Sequence, residues 1–211
     1  MKRLPVIISI VCLVAAAIIV GFAYKVTRDR PMGAVSEAGI SGAVTSHGRA
    51  DIGGPFNLVD QDGQPVNAHI LRGKWSVVFF GYTYCPDVCP TTLQTLAAVK
   101  QLLGPRGDEV QVIFITIDPA RDTPATMKAY LDSVGLRGAI GLSGTPEQIA
   151  AAAKTYKVFY AKKGTGDDYL MDHSTLSYLM GPDGSFRAPV PYGLSPEQTA
   201  KILREEMQRG V

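Results

Sequence analysis

Charge is sparse in this sequence. Only 19% of the 211 residues are charged, against 46% that are hydrophobic, which excludes a disordered chain. The 22 glycines and 14 prolines exclude a coiled coil. There is no internal repeat, and the length suits one domain with an appendage. A basic excess is missing where a nucleic acid would need one. Of the 21 Lys/Arg and 19 Asp/Glu, six and two fall in residues 1–50, so residues 51–211 keep 15 and 17 and a charge of −2. The main body has no electrostatic footprint for nucleic acid, and no such partner is expected.

Charge is absent altogether from residues 4–24, between Met1-Lys2-Arg3 and Lys25. About 20 apolar residues at about 1.5 Å each span a bilayer core of about 30 Å. A signal-peptide core is shorter, about 7–15 residues, so a retained anchor over 1–24 is expected. Cleavage after Gly21-Phe22-Ala23 is the competing reading, because small residues stand there at the right spacing. The charges flanking the span oppose one another and do not set its orientation. Cys12, inside the span, reads as a small apolar filler. Residues 25–50 are dominated by Gly, Ala and Ser without periodicity and read as a flexible tether, in which His47 is simply solvated.

Residues 51–211 alternate strand and helix signals. A hairpin is expected around Asp60-Gln61-Asp62-Gly63, then buried strands at 75–82 and 110–117 and a short strand at 139–142. Helices are expected at 91–103, from Thr123-Pro124 to about 134, from Thr145 to about 158, and from Ser195 to about 208. The segments 169–180 and 185–190 flank Gly181-Pro182-Asp183-Gly184 and read as a second hairpin. This order implies an α/β domain with a mostly parallel central sheet, helices on both faces and an antiparallel hairpin at one edge.

Cysteine and histidine occur three times each. Cys85 and Cys89 lie in Tyr82-Thr83-Tyr84-Cys85-Pro86-Asp87-Val88-Cys89-Pro90, between a strand and a helix, where open α/β sheets build sites. The simplest fit puts Cys89 at the helix N-cap and Pro90 at the first helical position. The positive end of a helix favours thiolate, and thiolate is both nucleophile and soft-metal ligand. Two thiols at this spacing either chelate one ion or close a disulfide; the spacing does not choose. His69 reads as a surface residue, whereas His173 lies on an apolar strand. Two thiolates and one imidazole suit copper, as Cu(I) with low coordination or Cu(II) with a further ligand. Structural zinc takes four ligands, and a fourth Cys or His is lacking. Met171 alternates onto the His173 face but reads as core, and Asp172 should face away. Asp118-Pro119-Ala120-Arg121-Asp122-Thr123 reads as a turn with a helix cap and a surface ion pair.

Three blocks, in order, resemble the Sco/SenC family: Phe80-Gly81-Tyr82-Thr83 with Cys85 through Pro90, Thr116-Ile117-Asp118-Pro119 with Arg121-Asp122-Thr123, and Asp172-His173-Ser174. The resemblance covers about residues 51–208, with Ala120 where an acidic residue is expected. It implies a membrane-anchored protein with a thioredoxin-like fold, a peroxiredoxin-like variant. It also implies copper held by Cys85, Cys89 and His173, with Cys85 and Cys89 as a redox pair. The implied function is a metallochaperone for the binuclear copper centre of cytochrome c oxidase, which it supplies with copper, reduces at its cysteines, or both. The implied partners are the copper-bearing subunit of the oxidase and an upstream copper donor. The implied location is the inner membrane, crossed once, with the soluble domain on the periplasmic side. The rivals are a thiol-disulfide oxidoreductase acting without copper, which usually carries CxxC, and a peroxiredoxin-like peroxidase. The latter usually has Thr three residues before its reactive cysteine, where Tyr82 and Pro86 stand here.

Overall fold

The computed structural model describes Lys25, residues 51–136 and residues 138–209. The expected anchor and, Lys25 apart, the tether lie outside the described residues. Among the described residues, no helix is long and apolar enough to cross a membrane.

Two strands organise the domain. In β3 (Trp75–Gly81) and β4 (Val110–Thr116) all seven residues are buried, which is why both read as unbroken apolar runs rather than alternating ones. They pair in parallel, Trp75 opposite Val110 through Gly81 opposite Thr116. The side-chain period of two sends Phe79 to one face, where its ring meets Phe114 at 5.8 Å. It sends Phe80 to the other, where it meets Tyr156 at 5.3 Å.

The full sheet has the order β2-β1-β5-β4-β3-β8-β9, with β1 at Asn57–Asp60, β2 at Pro65–Asn67, β5 at Ile140–Ser143, β8 at Ser177–Met180 and β9 at Phe186–Val190. Its centre, β5-β4-β3, is parallel. Antiparallel pairs flank it on both edges, not on one as expected. The helices are α1 (Val88–Leu102), α2 (Pro124–Ser133), α3 (Pro146–Thr155) and α4 (Pro196–Arg209). Helix α1 packs against α4 and α2 against β5, while Tyr156 at the end of α3 covers the opposite face. This is the thioredoxin-like arrangement expected, a central sheet flanked by helices.

Three helix starts follow the expected chemistry. Thr123 accepts from the Thr126 N–H, Thr145 forms a capping box with Gln148, and Ser195 accepts from the Gln198 N–H at 3.2 Å. The end of α3 is shorter than expected. Lys157 takes a left-handed φ of 57°, and the Val158 and Lys157 N–H groups close onto the Ala153 and Lys154 carbonyls. That is a Schellman stop, with lysine where glycine usually stands.

The segment 169–180 is not one arm of a hairpin. It breaks at Ser174-Thr175-Leu176, and only β8 enters the main sheet. The first part, β7 (Leu170–His173), pairs instead with β6 (Tyr160–Lys163), in a separate antiparallel ribbon with Tyr160 opposite His173. No strand was expected at 160–163. Its two lysines are exposed and its other residues only half-buried, so it lacks the alternation that marks a strand.

Candidate metal centre

The cysteines are placed by the carboxyl end of β3 and the first turn of α1. The helix starts two residues earlier than expected, with Asp87 as N-cap, so Cys89 and Pro90 are the second and third helical residues. Proline is tolerated there because the first N–H groups of a helix have no partner within it. The first helical bond shown in this turn runs from Thr91 N–H to the Asp87 carbonyl at 3.1 Å. Cys89 consequently points inward and is fully buried, while Cys85, in the preceding loop, is half-buried.

Burial of Cys89 depends on Gly81. A Cβ at position 81 would sit 2.5 Å from the Cys89 sulfur and 2.8 Å from the Phe114 ring. The sulfur therefore occupies the space that a side chain at the end of β3 would take. Glycine within a strand often marks such an approach, a signal not used in the sequence analysis.

His173, at the end of β7, closes the group. Its Nε2 lies 3.7 Å from the Cys89 Sγ, and the donor atoms of Cys85, Cys89 and His173 all lie within 4.8 Å of one another. The ring stands edge-on to Tyr82, with centroids 5.9 Å apart. Its Nδ1 is 2.9 Å from the Ser174 carbonyl oxygen. A carbonyl only accepts, so Nδ1 carries a hydrogen and Nε2 is the ring nitrogen directed at the sulfurs. That is the orientation a metal-ligating imidazole needs.

The two thiols share one proton. Both are free, and the Cys89 N–H donates to the Cys85 sulfur at 3.4 Å. The hydrogen bond from the Cys89 thiol, opposed by burial and aided by His173, lowers the Cys85 pKa to about 3. The same bond and burial push Cys89 strongly upward. These opposite shifts favour thiolate on the accessible sulfur and a proton on the buried one.

The site opens through a depression of about 250 Å³ lined by Tyr82, Cys85, Pro86, Leu170, Met171 and His173. Met171 is half-buried and packs against the core, as expected. Asp172 is exposed, 4.0 Å from Lys163. His69 is exposed on the turn at 68–71. A second cavity, of about 330 Å³ between α1, β9 and the start of α4, contains none of the three donors.

The donor set fits a soft metal ion. Bonds of about 2.0 Å to imidazole and about 2.3 Å to thiolate, opened to about 120°, separate nitrogen from sulfur by about 3.7 Å. The Cys89–His173 separation is 3.7 Å, and the three donors, spread within 4.8 Å, need only a small closure to share one ion.

The turn at 118–122 corrects an expectation. The expected ion pair forms, between Arg121 and Asp118, but it is largely buried rather than at the surface. Asp122 is fully buried and Asp118 is 4% exposed. Asp122 accepts from the Thr83 N–H at 3.0 Å and from the Thr83 and Thr116 hydroxyls, each at 2.6 Å. Asp118 accepts from Arg121 Nε and from the Tyr169 hydroxyl, again each at 2.6 Å. These partners are 39 and 51 residues distant from their aspartates in the longest cases, too far for local spacing to reveal.

A family profile described as SCO1/SenC matches residues 44–208. An SCO2-like protein of Rickettsia conorii is 35% identical over 210 residues, covering 98% of this chain and 100% of its own. Protein SenC of Rhodobacter capsulatus is 43% identical over 157 residues, covering 74% and 71%. Among solved structures, Bradyrhizobium japonicum ScoI with copper bound is 48% identical with a TM-score of 0.68, covering 74% of this chain and 99% of that one. Yeast Sco1 with copper bound is 36% identical with a TM-score of 0.71, covering 76% and 91%.

Proposed function

The chain belongs to the SCO1/SenC family, and on that premise we propose that it is a copper-binding metallochaperone serving assembly of the binuclear copper centre of cytochrome c oxidase. The observation that carries this reading is the convergence of two thiols and one imidazole within 4.8 Å. Cys85, Cys89 and His173 are the proposed ligands. Soft thiolates with a neutral imidazole select copper over hard oxygen-seeking cations. The Cys85 thiol is biased toward thiolate, His173 Nε2 is already turned toward the sulfurs, and Cys89 gives up its proton when the metal enters.

Cargo must also leave. Cys85 and His173 line the open depression, whereas Cys89 is fully buried beneath it. Incoming thiolates of an acceptor therefore meet the ion on the Cys85 and His173 side, with Cys89 the last ligand to let go. The proposed acceptor is the copper-bearing subunit of the oxidase, and an upstream donor loads the site from the same side. An anchor at 1–24 and a tether at 25–50 would hold the 51–211 domain on the periplasmic side of the inner membrane.

The test is copper stoichiometry on the reduced full chain in detergent. Wild type is expected to bind one ion. Cys85→Ser and Cys89→Ser should weaken binding greatly. His173→Ala should weaken it and change the Cu(II) spectrum. Unchanged affinity in His173→Ala would favour a thiol-disulfide oxidoreductase acting without copper. The unequal protonation of the two cysteines suits that chemistry: the Cys85 thiolate would attack a disulfide and form a mixed disulfide. Cys89 would then resolve it, leaving the substrate as two thiols and Cys85–Cys89 oxidised.

A further inference from the structure

The metal donors come from two arms that share no strand. Cys85 and Cys89 stand on the loop and helix after β3, and His173 stands on the β6–β7 ribbon, outside the main sheet. On its carboxyl side the ribbon is tied to the cysteine arm by the β8–β3 pairing and by the Tyr82 ring against His173, which leaves its amino side, at 167–169, to be held by another contact. We propose that the turn at 118–122 is the positioning device of the copper site, with Arg121 and Asp122 bracketing both arms. The inference rests on the copper site proposed above.

The bracket grips the cysteine arm at consecutive residues. Asp122 holds Thr83 by its N–H and its hydroxyl. The Arg121 guanidinium lies over the Tyr84 ring, 4.6 Å from its centroid. Tyr84 and Thr83 immediately precede Cys85. Tyr84 itself is 58% exposed, so burial does little to fix its ring, and the guanidinium supplies a cation–π contact to it.

The histidine arm is gripped by the same turn. Arg121 Nη1 donates to the Asp167 carbonyl at 3.2 Å. The guanidinium lies 3.6 Å from the centroid of Tyr169, whose hydroxyl donates to Asp118. Tyr169 directly precedes β7, and β7 ends at His173. One planar cation thus lies within cation–π distance of aromatic rings from both arms, with Asp118 fixing its Nε edge.

Planarity matters here. Arginine offers two faces and a rigid edge at once, whereas lysine is a point charge. Arg121→Lys keeps the charge but cannot lie against both rings while bonding Asp118 and the Asp167 carbonyl. Tyr84→Ala, at an exposed position, removes only the cysteine-side stack. Tyr84→Phe keeps a ring over the cation and should restore wild-type behaviour.

The experiment measures amide hydrogen exchange of the metal-free, reduced full chain in detergent, and the Cu(II) absorption spectrum of the loaded protein. Arg121→Lys should speed exchange in both 83–88 and 167–173, by about 2- to 30-fold, the range that a lost cation–π contact supports. Tyr84→Ala should speed exchange in 83–88 only, and Tyr84→Phe in neither. The Cu(II) spectrum should shift in the first two variants and not in the third. If Arg121→Lys leaves 167–173 unchanged, the turn does not join the arms. If it speeds β3 and β4 equally, its role is general stability and the proposal fails. Wild type that takes up no copper would sink the copper reading alone, since the exchange arms read the bracket without metal.

Discussion

Replacing Gly81 by alanine should weaken copper binding without touching a ligand. The added Cβ would lie 2.5 Å from the Cys89 sulfur, 2.8 Å from Phe114 and 3.2 Å from Phe79. Real Cβ contacts essentially never fall below 3.0 Å, so the sulfur must retreat by at least about 0.5 Å in a core that has little slack. Overpacking of this kind costs about 1–3 kcal/mol, and a domain of this size loses about 2–4 °C of Tm per kcal/mol. The melting temperature of the metal-free protein should fall by about 2–12 °C. A donor displaced by about 0.5 Å lies beyond the tolerance of about 0.2 Å for metal–ligand bonds. Copper affinity, read by competition with a Cu(I) chelator, should drop by about 10- to 100-fold, the scale of losses when a supporting contact is removed. A double-mutant cycle isolates the cause. In a Cys89→Ala background the sulfur is gone, so the stability cost of Gly81→Ala should shrink, giving a coupling of about 0.5–3 kcal/mol. Additive costs together with wild-type copper affinity would refute the claim that the glycine makes room for the ligand.

Three further outcomes are expected. Because the Cys85 pKa is held at about 3 by its partner thiol, iodoacetamide should modify Cys85 ahead of Cys89 in the reduced, metal-free protein. Its rate should be nearly flat between about pH 5 and 8, since the thiolate fraction is already complete; a tenfold rise per pH unit would contradict the shared-proton pair. Lys157→Gly, at a φ of 57°, should raise stability by about 0.5–1 kcal/mol in urea unfolding, because glycine takes the left-handed conformation without strain, and a loss of stability would refute that account. The full chain should remain in the membrane fraction after a carbonate wash; recovery of a soluble protein beginning near Tyr24 would show a cleaved signal instead.

The legible parts of the sequence were those where the physics is local. β3 and β4 are buried on both faces and therefore apolar at every position. Thr123-Pro124 and Thr145-Pro146 carry their own cap and first helical residue. The three donors could be named because thiols and imidazole are rare here and bring their own chemistry. Less legible was whatever depended on distant partners. The burial of Asp122 comes from Thr83, 39 residues away. The departure of β7 from the hairpin follows from pairing with a strand at 160–163 that has no apolar stripe. The helix start at Val88 rather than Pro90 turned on a local rule applied too tightly, since proline fits anywhere in the first turn of a helix.

His173 follows Cys89 by 84 residues, and that interval has a meaning during synthesis. At about 5–20 residues per second, the imidazole emerges about 4–17 s after the second thiol. Throughout that interval the growing chain carries only two of the three donors that converge in the folded domain. Its ribbon also needs residues 160–173 before it can pair, so the third donor joins only when most of the domain has been made. A chain truncated before residue 173 keeps the two sulfurs and loses the imidazole. The proposed three-donor site is therefore a property of the nearly finished protein.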